Sequence, residues 1–435
     1  MANRFNFDVK SLRFKRQVDL TTENTSTTAT DCLIFPPEVA TITFGRDVED
    51  LQLAHVQVGS FETPAIGGKK LSFTAKYPMR GYKAAYDYAV SVPGTDADTI
   101  APEMILLAVA LGSAGPASCA NAADLNKGKN LKNVAYNAGD VAGASTTAIA
   151  TTAGTYTPGA LWVSDDAVPI GVPTIGWIKN QVVQLVTLFE AAANSTGAGD
   201  NVLPTSTAYL SDLGQIPLTC DVLGAQANEK IALIGLTVNK IEISLVAGKT
   251  PMVTLTFEGV DFKHYSSGGG SINLLAYARA YPLMGAYAGR LTLGSTVTDG
   301  VSDLKIDIAL PTTYVESHNA NQGKSEAMQG LPVVHVDCAI PWSSADAIVS
   351  GENVWSALFI AGTAKSLNVM SGKAAGSIFA AFLPAMHLYQ EPAMEKKGSH
   401  FFWKLAFRPS SYFADGTALI QDTLPGDDLL RIGIA

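Results

Sequence analysis

Alternation of apolar and polar residues is the most regular feature of this chain, and it predicts strands. Within Lys70–Tyr77 (KLSFTAKY), Leu71, Phe73 and Ala75 alternate with polar neighbours, the period of a strand with one buried face. Ala40–Phe44 (ATITF) and Leu51–Val58 (LQLAHVQV) predict two earlier strands, and Gly59–Gly68 (GSFETPAIGG) predicts a loop too long for a tight hairpin. Leu236–Val246 and Met252–Phe262 alternate on either side of AGKTP and predict a hairpin. Further on, Asp303–Leu310 and Val333–Ile340 predict strands that flank a long polar loop, Thr312–Leu331; Ser377–Tyr389 and His400–Arg408 predict a closing hairpin. Two stretches read as short apolar helices. Ala101–Leu111 (APEMILLAVAL) has Pro102 and Glu103 in its first turn and stops at Gly112, and Glu352–Ala361 (ENVWSALFIA) stops at Gly362.

Between these elements the composition shifts. Residues 115–215 are rich in Ala, Thr, Gly and Ser and read as an insertion, least structured over Gly139–Gly159. Within it, Ile175–Ala193 fits an amphipathic helix, and its Val182–Leu188 portion fits a buried strand equally well. Ser266–Ser271 (SSGGGS) is the most linker-like segment. The expected division is an N-terminal arm over 1–39, a first domain over 40–265, a linker over 266–271 and a second domain over 272–435. Strand, long loop, strand, helix and hairpin recur in that order in both halves, an element-level duplication without residue identity.

Glycine and proline, 39 and 21, are spread along the chain as a mainly β protein with short helices requires. Hydrophobic residues make up 47% and charged residues 16%, against about 25% charged in an ordinary soluble domain. So little charge predicts surface covered by neighbouring subunits. The net charge of −9, from 30 basic and 39 acidic residues, argues against sequence-reading nucleic-acid binding, which rests on cations at phosphates. Cys32, Cys119, Cys220 and Cys338 are scattered and read as plain buried thiols. The N-terminus lacks the apolar run of a secretory signal, and no apolar stretch reaches the length of a membrane span, so the expectation is a chain made in the cytosol.

Chemistry is not legible in the motifs. There is no HExxH, Walker loop, GxGxxG between strand and helix, or GxSxG, and the expectation is neither enzyme nor cofactor nor metal protein. His55, His264, His318, His335, His387 and His400 never stand four apart and read as ordinary sheet or loop residues. The adjacent acids Asp165–Asp166 and Asp427–Asp428 read as solvated turns, and Ser267–Gly270 as linker, not as a phosphate cradle. Phe401, Phe402 and Trp403 in succession must face both sides of a sheet, which favours packing over base stacking.

Three segments carry a resemblance when taken in order: GSFETPAIGGKKLSFTAKYP at Gly59–Pro78, APEMILLAVALG at Ala101–Gly112, and GLTVNKIEISLVAGKTPMVTLTFEGVDF at Gly235–Phe262. In this order of elements the chain resembles the tail tube proteins (major tail proteins) of long-tailed bacteriophages. Its second half, with IDIAL at Ile306–Leu310 and FLPAMHLY at Phe382–Tyr389, is similar to the C-terminal part of longer members. The resemblance implies two tandem tail-tube-type β-sandwich domains, each with a flanking helix and a long loop. It also implies self-assembly into stacked rings, a trimeric pseudo-hexamer or a hexamer, around a channel that passes DNA during ejection without sequence-specific binding. Implied partners are the tail initiator or distal and terminator proteins; the implied location is the virion tail, assembled in the host cytoplasm without a membrane. An acidic lumen is expected, since it repels the DNA backbone.

The two long loops are the expected inter-ring contacts, through Phe61, Glu62, Thr63 and Pro64 in the first half and Asn319, Asn321, Gln322, Lys324 and Glu326 in the second. Two other readings compete. A capsid decoration protein shares the low charge, and a polysaccharide-binding tail spike shares the β pattern but is expected to carry aromatic platforms and spaced paired acids.

Overall fold

In the computed structural model of the protein, the described residues are 9–27, 32–49, 65–82, 100–112, 132–133, 147–148, 161–167, 173–177, 201–203, 206–210, 216–224, 229–268, 272–284, 291–293, 296–298, 301–317, 323–342, 354–362, 364–372, 377–409 and 430–434. The chain opens with strands β1 (Val9–Arg16), β2 (Leu33–Phe35), β3 (Val39–Glu49) and β4 (Ala65–Pro78), then helix α1 (Pro102–Ala110). Next come β5 (Lys132–Asn133), β6 (Thr147–Ala148), β7 (Leu161–Ala167), β8 (Pro173–Trp177), β9 (Asn201–Leu203) and β10 (Ser206–Tyr209). β11 (Leu218–Gly224), β12 (Lys230–Val246), β13 (Met252–Gly259) and β14 (Asp261–Tyr265) precede helix α2 (Leu274–Ala280). There follow β15 (Leu291–Leu293), β16 (Thr296–Thr298), β17 (Asp303–Ala309), β18 (Thr312–Glu316), β19 (Lys324–Gln329) and β20 (Val333–Pro341). The last elements are helix α3 (Val354–Ala361), β21 (Lys365–Ser371), β22 (Phe379–Leu388), β23 (Ala393–Lys397), β24 (His400–Pro409) and β25 (Arg431–Ile434). The protein is mainly β, and among the described residues all strand pairs are antiparallel.

β12 is long enough to serve two layers. Its first part pairs with β11 and β14 in a layer ordered β2-β1-β11-β12-β14. Its second part pairs with β13 and β17 in a layer ordered β3-β4-β13-β12-β17-β20-β24-β23. The crossover falls at Gly235, whose φ of +67° suits glycine; a Cβ there would lie 2.3 Å from the Leu20 carbonyl oxygen. On the paired strand, Gly259 lets Leu71 approach to 2.5 Å of where its Cβ would stand. Aromatic rings join the layers: Phe14 of β1 lies 5.5 Å from Phe257 of β13 and 6.3 Å from Phe73 of β4, and Phe35 of β2 meets the edge of Tyr77 at 5.2 Å. Phe73, Tyr77 and Phe257 occupy inward positions of strands read from the sequence, whereas Phe14 and Phe35 come from the segment read as an arm.

β1 corrects the expected arm. Leu12 and Phe14 enter the core, while Ser11, Arg13, Lys15 and Gln17 on the opposite face are also buried. Their charges are met by Asp221 of β11, 2.8 Å from Lys15, 3.4 Å from Lys230 and 3.6 Å from Arg13. Ion pairing therefore gives this strand a buried polar face, which makes it read as basic and solvated.

The segments on either side of residues 269–271 are tied to one body. β12 pairs with β17 from Lys240↔Ala309 to Val246↔Asp303, so main-chain hydrogen bonds join the strands of the two halves. After the Gly/Ser segment, residues 272–284 lie back on the first half: Gly81 N donates to Pro282 O (3.0 Å), Met284 N to Met79 O (3.0 Å) and Arg80 Nη1 to Tyr281 O (2.6 Å). Tyr277 of α2 donates its hydroxyl to Glu103, which Arg80 approaches at 3.2 Å. Glu103 stands in the first turn of α1, which begins at Pro102 and is buried from Glu103 to Ala110.

The predicted loops need correction as well. Thr312–Leu331 contains an antiparallel ribbon, β18 paired with β19. Thr312–Glu316 (TTYVE) consists largely of strand formers, and a ribbon solvated on one side needs no apolar face to form. In the first half, Ala65–Gly68 belongs to β4, with Ala65 opposite Glu49. Residues 50–64, with the predicted strand Leu51–Val58, lie outside the described residues. Within 115–215, β6, β9, β7 and β8 form a separate four-stranded sheet; β10 pairs with β5 and with the C-terminal β25, which also lies against β22. Ile175–Trp177 falls in β8, and residues 178–193 are outside the description.

Candidate functional site

The second layer turns Leu71, Phe73, Ala75, Val253, Leu255, Phe257, Leu304, Ile306 and Ile308 inward, so the intervening residues form one outer face. Cross-strand register sets its rows. One runs Thr41, Thr74, Thr256, Lys240, Ala309, Val333; the next runs Val39, Lys76, Thr254, Glu242, Asp307, His335. The face continues without a gap from β3 through β12 and β17 to β23, across strands of both halves. Among the described residues β3 pairs only with β4 and β23 only with β24, so each end is a strand edge with unmatched main-chain groups.

At the seam of β12 and β17, four charges neutralise one another. Lys305 lies 2.9 Å from both Glu242 and Asp307, and Lys240 lies 3.2 Å from Asp307 and 3.6 Å from Glu242. Partial burial works against the Lys305 ammonium, yet its bonds to Asp307 and Glu242 hold its pKa above the ordinary lysine value. Nearby, Arg408 Nε donates to His335 Nδ1 at 3.2 Å and its guanidinium stacks over Tyr389. Lys70, Lys76, Lys240, Lys305, Lys397, Lys404 and Arg408 stand on this face against Glu242, Glu258, Asp303, Asp307, Asp337 and Glu395, seven cations and six anions. The chain's acidity is not displayed here.

Two features mark opposite ends of these strands. At one end the β18–β19 ribbon projects, fixed to the body where the Tyr314 and Thr237 hydroxyls bond at 2.8 Å. Burial pushes the Tyr314 phenol up to about 12, with the Glu258 charge adding and the Thr237 bond opposing. Lys324 stands 4.3 Å over the Tyr314 ring, and a groove of about 450 Å³ runs between the ribbon and Phe44, Lys70 and Ser72. At the other end, Pro36, Pro37, Pro78 and Met252 with Lys76, Arg80 and Lys249 line an open cleft of about 580 Å³, whose one acid is Glu38.

Of the residues expected at inter-ring contacts, Lys324 and Glu326 lie on β19, Lys324 against Tyr314 and Glu326 exposed beside Val315. Phe61, Glu62, Thr63, Pro64, Asn319, Asn321 and Gln322 lie outside the described residues. The cleft escaped sequence reading because β4, the turn before β13 and the Pro36–Pro37 pair meet only in three dimensions. Among the described residues no group of three or more His, Cys, Asp or Glu side chains is placed to hold a metal ion. Cys32, Cys220 and Cys338 are buried thiols, Cys220 and Cys338 with pKa values raised by burial. No protein-family model and no curated protein sequence matches the chain.

Proposed function

We propose that this chain is the subunit of a bacteriophage tail tube, and that its exposed sheet face lines the channel through which DNA leaves the virion. The observation that carries the reading is the unbroken, nearly charge-balanced face that joins four strands of the first half (β3, β4, β13, β12) to four of the second (β17, β20, β24, β23) and ends, among the described residues, in an open edge on each side. On this reading the two halves are tandem β-sandwich domains whose inner sheets fuse at β12 and β17. Edge-to-edge pairing of copies then closes a ring. At about 4.8 Å per strand, three copies give a circumference of about 115 Å and a backbone diameter of about 37 Å; a side-chain layer of about 5 Å leaves a bore of about 27 Å.

A nearly neutral lining suits a conduit in a different way from the acidic one expected. Lys240, Lys305 and Lys397 on it are ion-paired with Glu242, Asp307 and Asp303, so a sliding phosphate backbone finds fewer free cations and releases fewer counterions. The assembled virion tail, formed in the host cytoplasm with initiator and terminator proteins at its ends, is the setting this reading implies.

Electron microscopy of the purified protein, alone and with tail initiation proteins, tests the reading. Rings or stacked tubes with an open axis are expected, and a stable monomer under both conditions overturns it.

A further inference from the structure

The ribbon and the cleft have matching chemistry and cannot meet within one molecule. Ser72 of β4 borders the groove beside the ribbon and Pro78 of β4 lines the cleft, so about 20 Å of extended strand separates them. On the ribbon's outward side, Val315 and Met328 flank Glu326, and Met328 is 60% exposed. The cleft offers the complement: an apolar floor of proline and Met252, with Lys76 and Lys249 at the rim and Arg80 held in place by Glu103 and the Tyr281 carbonyl. Arg80 is matched by Glu103 and Lys76 stands 4.0 Å from Glu38, which leaves Lys249 as the cleft cation without a carboxylate partner among the described residues.

We propose that the cleft receives the β18–β19 ribbon of a second copy of this chain, with Glu326 of that ribbon meeting Lys249 and Lys76 while Val315 and Met328 cover Pro37, Pro78 and Met252. Donor and acceptor sit at opposite ends of the same strands, so the contact is head-to-tail and leaves a free donor and a free acceptor after every addition. Such a heterologous contact extends as an open stack when its rotation does not close a ring, which is the case stacked rings require. The proposal deepens the tube reading, supplying the grip between successive rings, and rests on it for that role.

Charge exchange tests it. Lys249 lies in the exposed turn between β12 and β13, and Glu326 is solvated on β19, so Glu326→Lys and Lys249→Glu are both expected to melt as the native protein does. Each single variant should lose association by tenfold or more in sedimentation at low salt, and the double variant should recover most of it. A mixture of Lys249→Cys and Glu326→Cys proteins should give a disulfide-linked pair that neither variant forms alone. Singles that associate like the native protein, a double no better than the worse single, or no mixed pair would overturn the contact. Rings that form yet stack normally with Glu326→Lys would overturn this contact and leave the tube reading standing. A mixed pair without any ring would overturn the tube reading and leave the contact standing.

Discussion

Asp221 carries an unusual share of the first layer's stability. It is fully buried and faces Lys15, Lys230 and Arg13, so its removal leaves cations in the interior without their counter-charge. Asp221→Ala should cost about 3–5 kcal/mol in chemical denaturation. Asp307 also meets two lysines, but on the solvated face, and Asp307→Ala should cost about 1 kcal/mol or less. Equal losses would contradict this account of the two clusters. A second residue ties stability to pH. Burial raises the Glu103 carboxyl to about 7, against the opposing bonds from Tyr277 and its own backbone and the charge of Arg80. In the unfolded chain it titrates near 4.5, so between about 4.5 and 7 the folded protein holds a proton that the unfolded chain releases. Its contribution to stability is full below about 4.5 and is lost as the pH rises to about 7. Melting from pH 4 to pH 8 should show Glu103→Gln with a shallower decline across that window than the native protein; parallel curves would refute the assignment.

At the scale of elements, the ribbon is separable from the core. Ala309 and Val333 already face each other across β17 and β20, so an Asn-Gly turn between Leu310, which is buried, and Pro332 can close these strands in place of the ribbon. The shortened protein should keep its circular dichroism and melt while tubes fail to lengthen in electron micrographs. Full-length tubes would remove the ribbon from stacking, and an unfolded product would make it part of the core. The same elements mark how far the sequence could be read. β4, β12, β13, β17 and β20 were legible because one face is apolar and the other solvated, as in Leu71, Phe73 and Ala75. β1 was not, because Arg13 and Lys15 are buried by pairing with a residue more than two hundred positions away; the alternation Leu12, Phe14 was the signal available. β18 and β19 carry only Val315 and Met328 as apolar residues on their outward side and show no apolar alternation, and β25 is too short to show a period. α1 was legible from Pro102, Glu103 and Gly112, whereas the cleft depends on which turns meet and leaves no local trace.

For the whole molecule, the decisive feature is the fusion of two sets of strands into one face at β12 and β17. Its crossover is strained enough to test alone. Gly235→Ala would place a methyl group against the Leu20 carbonyl at a φ of +67°, and should destabilise the protein by about 1–3 kcal/mol or more in denaturant unfolding. Native stability in that variant would mean that β12 crosses between layers without needing glycine there.

The claim that this face lines a bore is tested most directly by its accessibility before and after assembly. Thr256 stands in the middle of the face, where a cysteine replaces it with little change in volume. In Thr256→Cys protein, a small maleimide should label free subunits and assembled tubes alike, whereas a maleimide carrying a polymer too large for the bore should label free subunits only. Equal labelling of assembled tubes by the large reagent would place the face on the outside and contradict the account.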